Sequence, residues 1–262
     1  MSDPRPIGVF DSGVGGLTVA AALMDRLPNE SIRYLGDTAR LPYGTKSPTT
    51  VQRYTEKNVG FLIDREVKAV IVACNTASAL ALDGFHADVP VWGVIEPGAD
   101  AAIAVTRGRV GVIATESTIA AGAYRTALSR RRPELDIHSQ ACGLFVPLVE
   151  EGWQDDEITE TVARRYLAPL LDADIDTLVL GCTHYPVLIP VLSRIVGSDV
   201  RLVDSAASTA EAVAEGLRAN QLEAPSDHRP EHHFFATDTA ERFARIASTV
   251  CRRPITLEHV DV

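Results

Sequence analysis

The sequence predicts an α/β fold made of two similar parallel-sheet domains. Short runs rich in valine and isoleucine alternate with stretches of helical periodicity along most of the chain. The runs are continuously apolar, as in parallel strands that helices cover on both faces. A weak internal repeat indicates that the two halves are alike, because IGVFDSGVGG resembles RVGVIATEST and AVIVACNTASAL resembles TLVLGCTHYPVL. We therefore expect two units related by a pseudo-two-fold axis, with a cleft between them.

Nine runs have the length and the β-branched content of buried strands. In chain order they are residues 7–11, 32–36, 69–74, 91–95, 109–115, 136–142, 177–182, 201–204 and 232–237. A loop rich in proline, aspartate and serine (221–231) precedes the last run, which we expect to be an edge strand. His228, His232 and His233 have no neighbouring cysteine or paired carboxylate to complete a metal site, so we interpret this loop as solvated.

Amphipathic stretches between the runs predict the helices that cover the sheets. The clearest of them are residues 48–65, 117–131, 155–172 and 206–219. We expect the chain to cross between the units near 96–102 and near 203–208. The first domain would then comprise residues 1–98 and 206–262, and the second domain residues 99–205. Open α/β sheets bind ligands at the carboxyl ends of their strands, which here would face the cleft.

The composition excludes several classes of protein. The 262 residues include 25 basic and 35 acidic side chains, for a formal charge of −10, which argues against nucleic-acid binding through counterion release. No apolar run approaches the roughly 18 residues of a membrane span. The N-terminus also lacks the basic and apolar regions of a secretory signal. The sequence therefore predicts a cytoplasmic globular protein that binds neither nucleic acid nor a membrane.

Two of the four cysteines stand in a context that favours reactivity. Cys74 and Cys182 each end a predicted strand and precede polar residues at an expected helix start. The positive end of a helix dipole and its free N–H groups favour the thiolate, which is the reactive form of cysteine. Cys142 and Cys251 lack this context, and we expect them to be small buried core residues. Because there is no CxxC pair, neither a zinc site nor a thioredoxin-like motif is predicted.

The first predicted strand ends in Asp11 and Ser12, directly before the glycine-rich turn GVGG. Such a turn presents backbone N–H groups to an anion such as a carboxylate. It is not the GxGxxG fingerprint of dinucleotide-binding proteins. None of the three lysines lies at a predicted strand end, so the sequence gives poor support to cofactor chemistry through a lysine.

Two thiols without a metal suit the inversion of an acidic carbon. One thiolate would remove a proton from one face while a thiol delivers a proton to the other, and thiols reach both forms near neutral pH. A Cys-His-Asp hydrolase would use only one of the two cysteines. A disulfide switch would require the two sulfurs to reach each other, which a sequence does not reveal.

Five motifs carry a resemblance to a known family. They are FDSGVGGLTV, YLGDTARLPYGTKS, VACNTASA, PLVEEG and LGCTHYP, which occur in this order between residue 7 and about residue 206. Together they resemble bacterial glutamate racemase, of the cofactor-independent aspartate/glutamate racemase superfamily. The resemblance implies interconversion of L- and D-glutamate without cofactor or metal, to supply D-glutamate for peptidoglycan and so for cell wall biogenesis and cell shape. It also implies two α/β domains with the active site between them, and a homodimer.

The resemblance further implies catalytic roles. Cys74 matches the cysteine that takes the α-proton from D-glutamate, and Cys182 matches the one that takes it from L-glutamate. Asp11 matches the acid that assists the first cysteine. His184 and Glu150 match the pair that assists the second.

Substrate contacts are implied mostly at uncharged groups and backbone atoms. The matching positions are Asp11, Ser12, Tyr43, Gly44, Asn75, Thr76, Thr115, Thr118, Thr183 and His184. The substrate carboxylates would therefore be held largely by hydrogen bonds to neutral donors. Glu150 is followed by Glu151, and the family motif favours Glu150 as the glutamate that faces the cleft.

Two other functions stay open. One is an aspartate racemase or another amino-acid racemase of the same superfamily, because a pocket discriminates only modestly between substrates that differ by one methylene. The other is a non-catalytic amino-acid-binding protein. The pair Cys74 and Cys182 argues against the second, since binding alone needs neither thiol.

Overall fold

The computed structural model describes residues 2–238 and 255–262. The strands in these ranges are β1 (Ile7–Asp11), β2 (Ile32–Gly36), β3 (Ala69–Val72), β4 (Val91–Gly93), β5 (Arg109–Ala114), β6 (Asp136–Ala141), β7 (Thr177–Gly181), β8 (Arg201–Val203), β9 (His233–Ala236) and β10 (Leu257–His259). They form two parallel sheets, of order β10-β9-β2-β1-β3-β4 and β6-β5-β7-β8. The prediction of two parallel-sheet α/β units is confirmed.

The two sheets share one strand order. Four neighbouring strands of the first sheet, in the order β2-β1-β3-β4, match the order β6-β5-β7-β8 of the second sheet one by one. The first sheet has two more strands, β9 and β10, at one edge. The central strands β1 and β7 are buried at every residue, as expected for strands with helices on both faces. The weak repeat in the sequence is therefore a repeat of topology.

The helices cover these sheets. In the part of the chain that the structure describes they are α1 (Leu17–Arg26), α2 (Pro48–Ile63), α3 (Asn75–Ala81), α4 (Ile95–Val105), α5 (Glu116–Ala121), α6 (Ala123–Arg131), α7 (Phe145–Glu150), α8 (Glu157–Asp172), α9 (Ile189–Val196) and α10 (Ala206–Ala219). The single helix expected over 117–131 is two helices. Gly122 ends α5 with φ of 65°, a left-handed conformation that terminates helices and that glycine adopts without strain. No helix within the described ranges is long and apolar enough to cross a membrane.

The expected edge strand near the C-terminus is an interior strand. β9 lies between β2 and β10, and the edge strand β10 was not predicted because its three residues, LEH, carry no apolar run. The preceding loop is mostly exposed, as expected, and two histidines link it and the start of β9 to neighbouring residues. His228 Nε2 lies 3.2 Å from Ser31 Oγ, and the backbone N–H of Ile32 donates to His232 Nδ1 at 3.3 Å. The histidines thus fasten this loop to the start of β2.

The amino ends of the strands, opposite the cleft, hold buried charges. Lys68 Nζ lies 2.6 Å from Glu30 Oε2, and both side chains are almost fully buried. In the second unit Asp176 accepts hydrogen bonds from the Thr106 hydroxyl at 2.7 Å and from the backbone N–H of Arg109 at 3.0 Å. Removing one partner of a buried ion pair typically costs about 3–5 kcal/mol. These groups stabilise the scaffold away from the chemistry.

The chain crosses from the first sheet to the second through α4 and returns through α10. α4 packs against α6 and β7, whereas α10 packs against both α1 and α4. The predicted limit between residues 98 and 99 falls inside α4, which continues through it. The division into residues 1–98 with 206–262 and residues 99–205 stays a prediction.

Candidate active site

A narrow cavity lies between the two units. Its walls come mainly from the residues that follow β1, β2, β3, β5 and β7, and consist of Ser12, Leu41, Pro42, Tyr43, Gly44, Cys74, Asn75, Thr76, Thr115, Val146, Cys182, Thr183 and His184. Of the predicted site residues, Asp11, Glu150 and Thr118 are outside the lining. Each of these three contacts a residue that belongs to it.

Cys74 stands between β3 and α3, as the N-cap residue of that helix. Its thiol is buried and donates a hydrogen bond to Ser12 Oγ at 3.4 Å. Burial raises the pKa of Cys74 to about 12, and the nearby charge of Asp11 acts in the same direction. Hydrogen bonds with Ser12 and with the backbone N–H of Ala77 lower this pKa, but by less. The Cys74 thiol is therefore protonated at neutral pH.

Asp11 ends β1 and is fully buried. Its Oδ2 accepts from the backbone N–H of Gly13 at 2.9 Å, and its Oδ1 accepts from the Thr183 hydroxyl at 3.4 Å. Burial raises the pKa of Asp11 from its ordinary value, although the charge of His184 and the backbone N–H groups act against it. A Cβ at Gly16 would lie 2.4 Å from Asp11 Cβ, so only glycine allows this close approach. Asp11 thereby reaches residues of both units.

Cys182 follows β7 and faces an imidazole. Its Sγ lies 3.9 Å from His184 Nδ1, and His184 Nε2 lies 3.2 Å from Glu150 Oε1. Burial lowers the pKa of His184. The hydrogen bonds with Cys182 and Glu150 and the charges of Cys182 and Asp11 outweigh burial, and the pKa of His184 rises to about 10. His184 is therefore protonated at neutral pH. Glu151 is exposed at the end of α7.

The expectation of an α-helix directly after Cys182 is wrong. Tyr185–Leu188 form a 3₁₀ turn, and α9 begins only at Ile189. Both elements have a proline in their first two positions, where its missing N–H is tolerated. The two prolines thus divide the segment into two short elements. An α-helix starts directly after Cys74 but not after Cys182.

Three threonine hydroxyls join the two units at the cavity. Thr76 Oγ1 lies 2.9 Å from Thr115 Oγ1 and 3.1 Å from Thr118 Oγ1, and the latter two are 2.9 Å apart. The loop after β2 also approaches closely, because a Cβ at Gly44 would lie 2.5 Å from Thr115 Cβ. The Ser117 hydroxyl donates to the Gly44 carbonyl at 2.8 Å. These contacts close one end of the cavity with neutral donors.

Sequence reasoning missed a buried carboxylate beneath Tyr43. Asp37, fully buried, accepts hydrogen bonds from the Tyr43 hydroxyl, from Arg40 Nε at 2.7 Å, from Asn58 Nδ2 at 3.2 Å and from the Thr237 hydroxyl at 3.0 Å. Asp37 belongs to the motif YLGDTARLPYGTKS and follows β2 directly, which was the available signal. Its partners lie as far away as residue 237, so the network itself was not visible in the sequence.

Cys142 is separate from the cavity lining. Cys142 is fully buried, and burial raises its pKa well above the usual range of a thiol. Cys251 lies outside the described residues. Among residues 2–238 and 255–262, no group of three His, Cys, Asp or Glu side chains could hold a metal ion.

The known proteins that this chain resembles in sequence and in structure belong to one family. The Asp/Glu/hydantoin racemase family model matches residues 17–213. Glutamate racemase from Geobacter metallireducens is 53% identical over 247 residues, which cover 93% of this chain and 92% of that protein. The crystal structure of glutamate racemase isoform RacE1 from Bacillus anthracis is 41% identical, covers 98% of both chains and superposes with a TM-score of 0.94.

A second solved structure includes a bound amino acid. Glutamate racemase from Francisella tularensis in complex with D-glutamate is 41% identical, has a TM-score of 0.92, and covers 99% of this chain and 98% of that one. The matches span nearly the whole chain, so they concern both units and the cavity between them. The chain belongs to the Asp/Glu/hydantoin racemase family and, within it, to the glutamate racemases, which are isomerases.

Proposed function

We propose that this protein interconverts L- and D-glutamate by a two-cysteine proton transfer at the α-carbon, without a cofactor. The observation that carries the proposal is that Cys74 and Cys182 line one cavity, each from the end of an equivalent strand in its unit. A carbon held between the two sulfurs presents one face to each. Inversion then needs one sulfur as base and the other as acid.

In the L-to-D direction, the Cys182 thiolate takes the α-proton of L-glutamate. The Cys74 thiol, whose high pKa keeps it protonated, delivers its proton to the opposite face. The products are D-glutamate, a Cys182 thiol and a Cys74 thiolate. Proton exchange with solvent or with neighbouring groups restores the starting state. The reverse reaction uses the same atoms in the opposite sense.

Neighbouring groups supply and hold these protons. His184, protonated and bonded to Glu150, exchanges a proton with the Cys182 sulfur. Asp11 assists Cys74, because its raised pKa makes it a stronger proton acceptor than an exposed carboxylate. Glu150, rather than Glu151, supports the imidazole.

The substrate carboxylates are held by neutral donors. Candidates are the hydroxyls of Ser12, Tyr43, Thr76, Thr115, Thr118 and Thr183, the side chain of Asn75 and the backbone of Gly44. Donors fixed in a largely buried site stabilise the negative charge that develops when the α-proton leaves, and they need no reorganisation during the reaction. The bound D-glutamate of the Francisella relative supports the choice of substrate.

We further propose that the D-glutamate enters peptidoglycan, that the protein acts in the cytoplasm, and that it forms a homodimer. These points rest on the sequence resemblance. Depletion of the protein in its host should stop growth unless D-glutamate is supplied, and sedimentation equilibrium should give twice the chain mass. Growth without D-glutamate would contradict the role in peptidoglycan.

The direct test is racemisation of L-glutamate by the purified protein in deuterium oxide, with no added cofactor. We expect loss of the circular dichroism signal of glutamate and incorporation of deuterium at the α-carbon. Exhaustive chelation should leave the rate unchanged, and L-aspartate should react more slowly than L-glutamate. A constant dichroism signal with no α-deuterium would refute the proposed reaction, and faster turnover of aspartate would refute the choice of substrate.

A further inference from the structure

Tyr124 joins the two units beside the cavity without being part of its lining. It lies on α6 and is 3% exposed. Its hydroxyl donates a hydrogen bond to Asn75 Oδ1 at 2.7 Å, from the second unit to the start of α3 in the first. Burial raises the pKa of Tyr124 well above that of a free phenol. The hydroxyl therefore keeps its proton, and remains a donor, throughout the working pH range.

Asn75 has a free hydrogen-bond donor in the cavity wall. The residue is 3% exposed and lines the cavity. Its Nδ2 is buried and has no hydrogen-bond partner among the described residues, although its Oδ1 is occupied by Tyr124. A buried donor without an acceptor is costly. An acceptor that enters the cavity would satisfy it.

We propose that Tyr124 is a positioning residue for substrate binding. By holding Asn75 Oδ1, its hydroxyl fixes the amide so that Nδ2 donates to a carboxylate oxygen of bound glutamate. The inference rests on the proposed function for the identity of the substrate. It adds a residue of the second unit that acts through a residue of the first.

The Tyr124 hydroxyl is itself held by the two segments that link the sheets. The Ser205 hydroxyl, directly before α10, is within hydrogen-bonding reach of it. On α4, a Cβ at Gly98 would lie 3.0 Å from the Tyr124 oxygen and 3.2 Å from Ser205 Cβ. Because Gly98 has no side chain, there is space beside α4 for the Tyr124 hydroxyl. The orientation of Asn75 thus depends on how the two units are joined.

The test is the Tyr124→Phe variant, which removes one oxygen and keeps the ring. We expect KM for L- and D-glutamate to rise together by about tenfold, with kcat changed less than about twofold, because a binding interaction is lost and the sulfurs are untouched. Tyr166→Phe is the matched control. Its hydroxyl accepts from the backbone N–H of Leu144 at 3.3 Å, outside the cavity lining, and KM should stay unchanged.

A double-mutant cycle separates positioning from general damage to the structure. Asn75→Ala should raise KM by itself, and adding Tyr124→Phe should then have no further effect. An equal effect of Tyr124→Phe with and without Asn75 would overturn the proposal. So would an unchanged KM in the single variant.

A second variant covers the case in which Tyr124→Phe does not fold. Gly98→Ala keeps the hydroxyl but crowds it, because the added Cβ would lie 3.0 Å from the Tyr124 oxygen, and it should raise KM. An unchanged KM in Gly98→Ala would then overturn the proposal. A wild-type protein that does not racemise glutamate would refute the proposed function, whereas an active wild type with no effect in these variants would refute only this inference.

Discussion

Cys74 and Cys182 occupy equivalent places in the two sheets but meet different surroundings. Each follows the third strand of the shared order, β3 in one unit and β7 in the other. Cys74 Sγ contacts the neutral hydroxyl of Ser12, and burial raises the pKa of this thiol to about 12. Cys182 Sγ faces His184, whose pKa is raised to about 10. A duplicated scaffold therefore provides two thiols that differ in the proton carriers beside them.

The difference follows from the segment after each cysteine. An α-helix begins directly after Cys74, and the backbone N–H of Ala77 faces its sulfur. The segment after Cys182 is a 3₁₀ turn preceded by His184. A helix start and a protonated imidazole both place positive charge beside a sulfur. One topology thus places backbone N–H groups beside one sulfur and an imidazole beside the other.

Replacing either cysteine should have the largest effect. We expect Cys74→Ser and Cys182→Ser each to lower kcat for racemisation by about 10²–10⁴-fold, the range for loss of a positioned acid or base. A serine hydroxyl is a far poorer base than a thiolate. Circular dichroism of both enantiomers measures the rates, and near wild-type turnover in either variant would contradict the use of two bases.

An elimination assay tells the two sulfurs apart. With a glutamate analogue that carries a leaving group on its side chain, only the first proton abstraction is required. Cys74→Ser should suppress elimination from the D-analogue more than from the L-analogue, and Cys182→Ser should do the opposite. Equal elimination from both enantiomers in both variants would show that the sulfurs do not each serve one face.

The Glu150→Gln variant should have the next largest effect, on the Cys182 side alone. Because the hydrogen bond with Glu150 raises the pKa of His184, its loss should lower that pKa. The alkaline limb of the kcat–pH profile should move to lower pH, and kcat at its optimum should fall by about tenfold. Glu151→Gln is the matched control, with little change. A larger effect of Glu151→Gln would reverse the assignment.

The Asp37→Asn variant tests whether the buried Asp37 carboxylate holds Tyr43 in position for substrate binding in the first unit. The amide keeps the volume of the carboxylate, but it cannot accept from all of Tyr43, Arg40 and Asn58, so Tyr43 should lose its fixed position. We expect KM to rise by about three- to fivefold with a smaller change in kcat. Thermal unfolding measured in parallel should show a lower Tm. An unchanged KM would mean that Tyr43 is held without this carboxylate.

The sequence predicted the site residues that local patterns and motifs mark, but it missed the contacts between residues that are far apart along the chain. Cys74, Cys182 and Asp11 each stand at the end of an apolar run, so local pattern and motif located them. The hydrogen bond between Tyr124 and Asn75 joins the first turn of α6 to the first residue of α3 in the other unit, and nothing at position 124 signals it in sequence. The network around Asp37 likewise depends on tertiary packing. The break at Gly122 was visible as a glycine, but helical periodicity on both sides of it concealed the break.

Ser12→Ala should have the smallest effect and is the sharpest test of the difference between the two sides. The hydrogen bond with Ser12 lowers the pKa of Cys74, so its loss should raise that pKa and disfavour the thiolate that takes the proton from D-glutamate. The rate should fall by about threefold, as for one modest hydrogen bond.

The equilibrium constant of a racemisation is one, so kcat/KM must fall equally for both enantiomers, and rates alone do not show which step is slowed. Kinetic isotope effects do, because a slowed abstraction step limits the reaction more fully. With Ser12→Ala, the isotope effect should increase for α-deuterated D-glutamate and not for α-deuterated L-glutamate. Glu150→Gln should show the opposite preference. The same preference in both variants would mean that the two thiols share one set of proton carriers, and the contrast between Ser12 beside Cys74 and His184 beside Cys182 would then have no kinetic consequence.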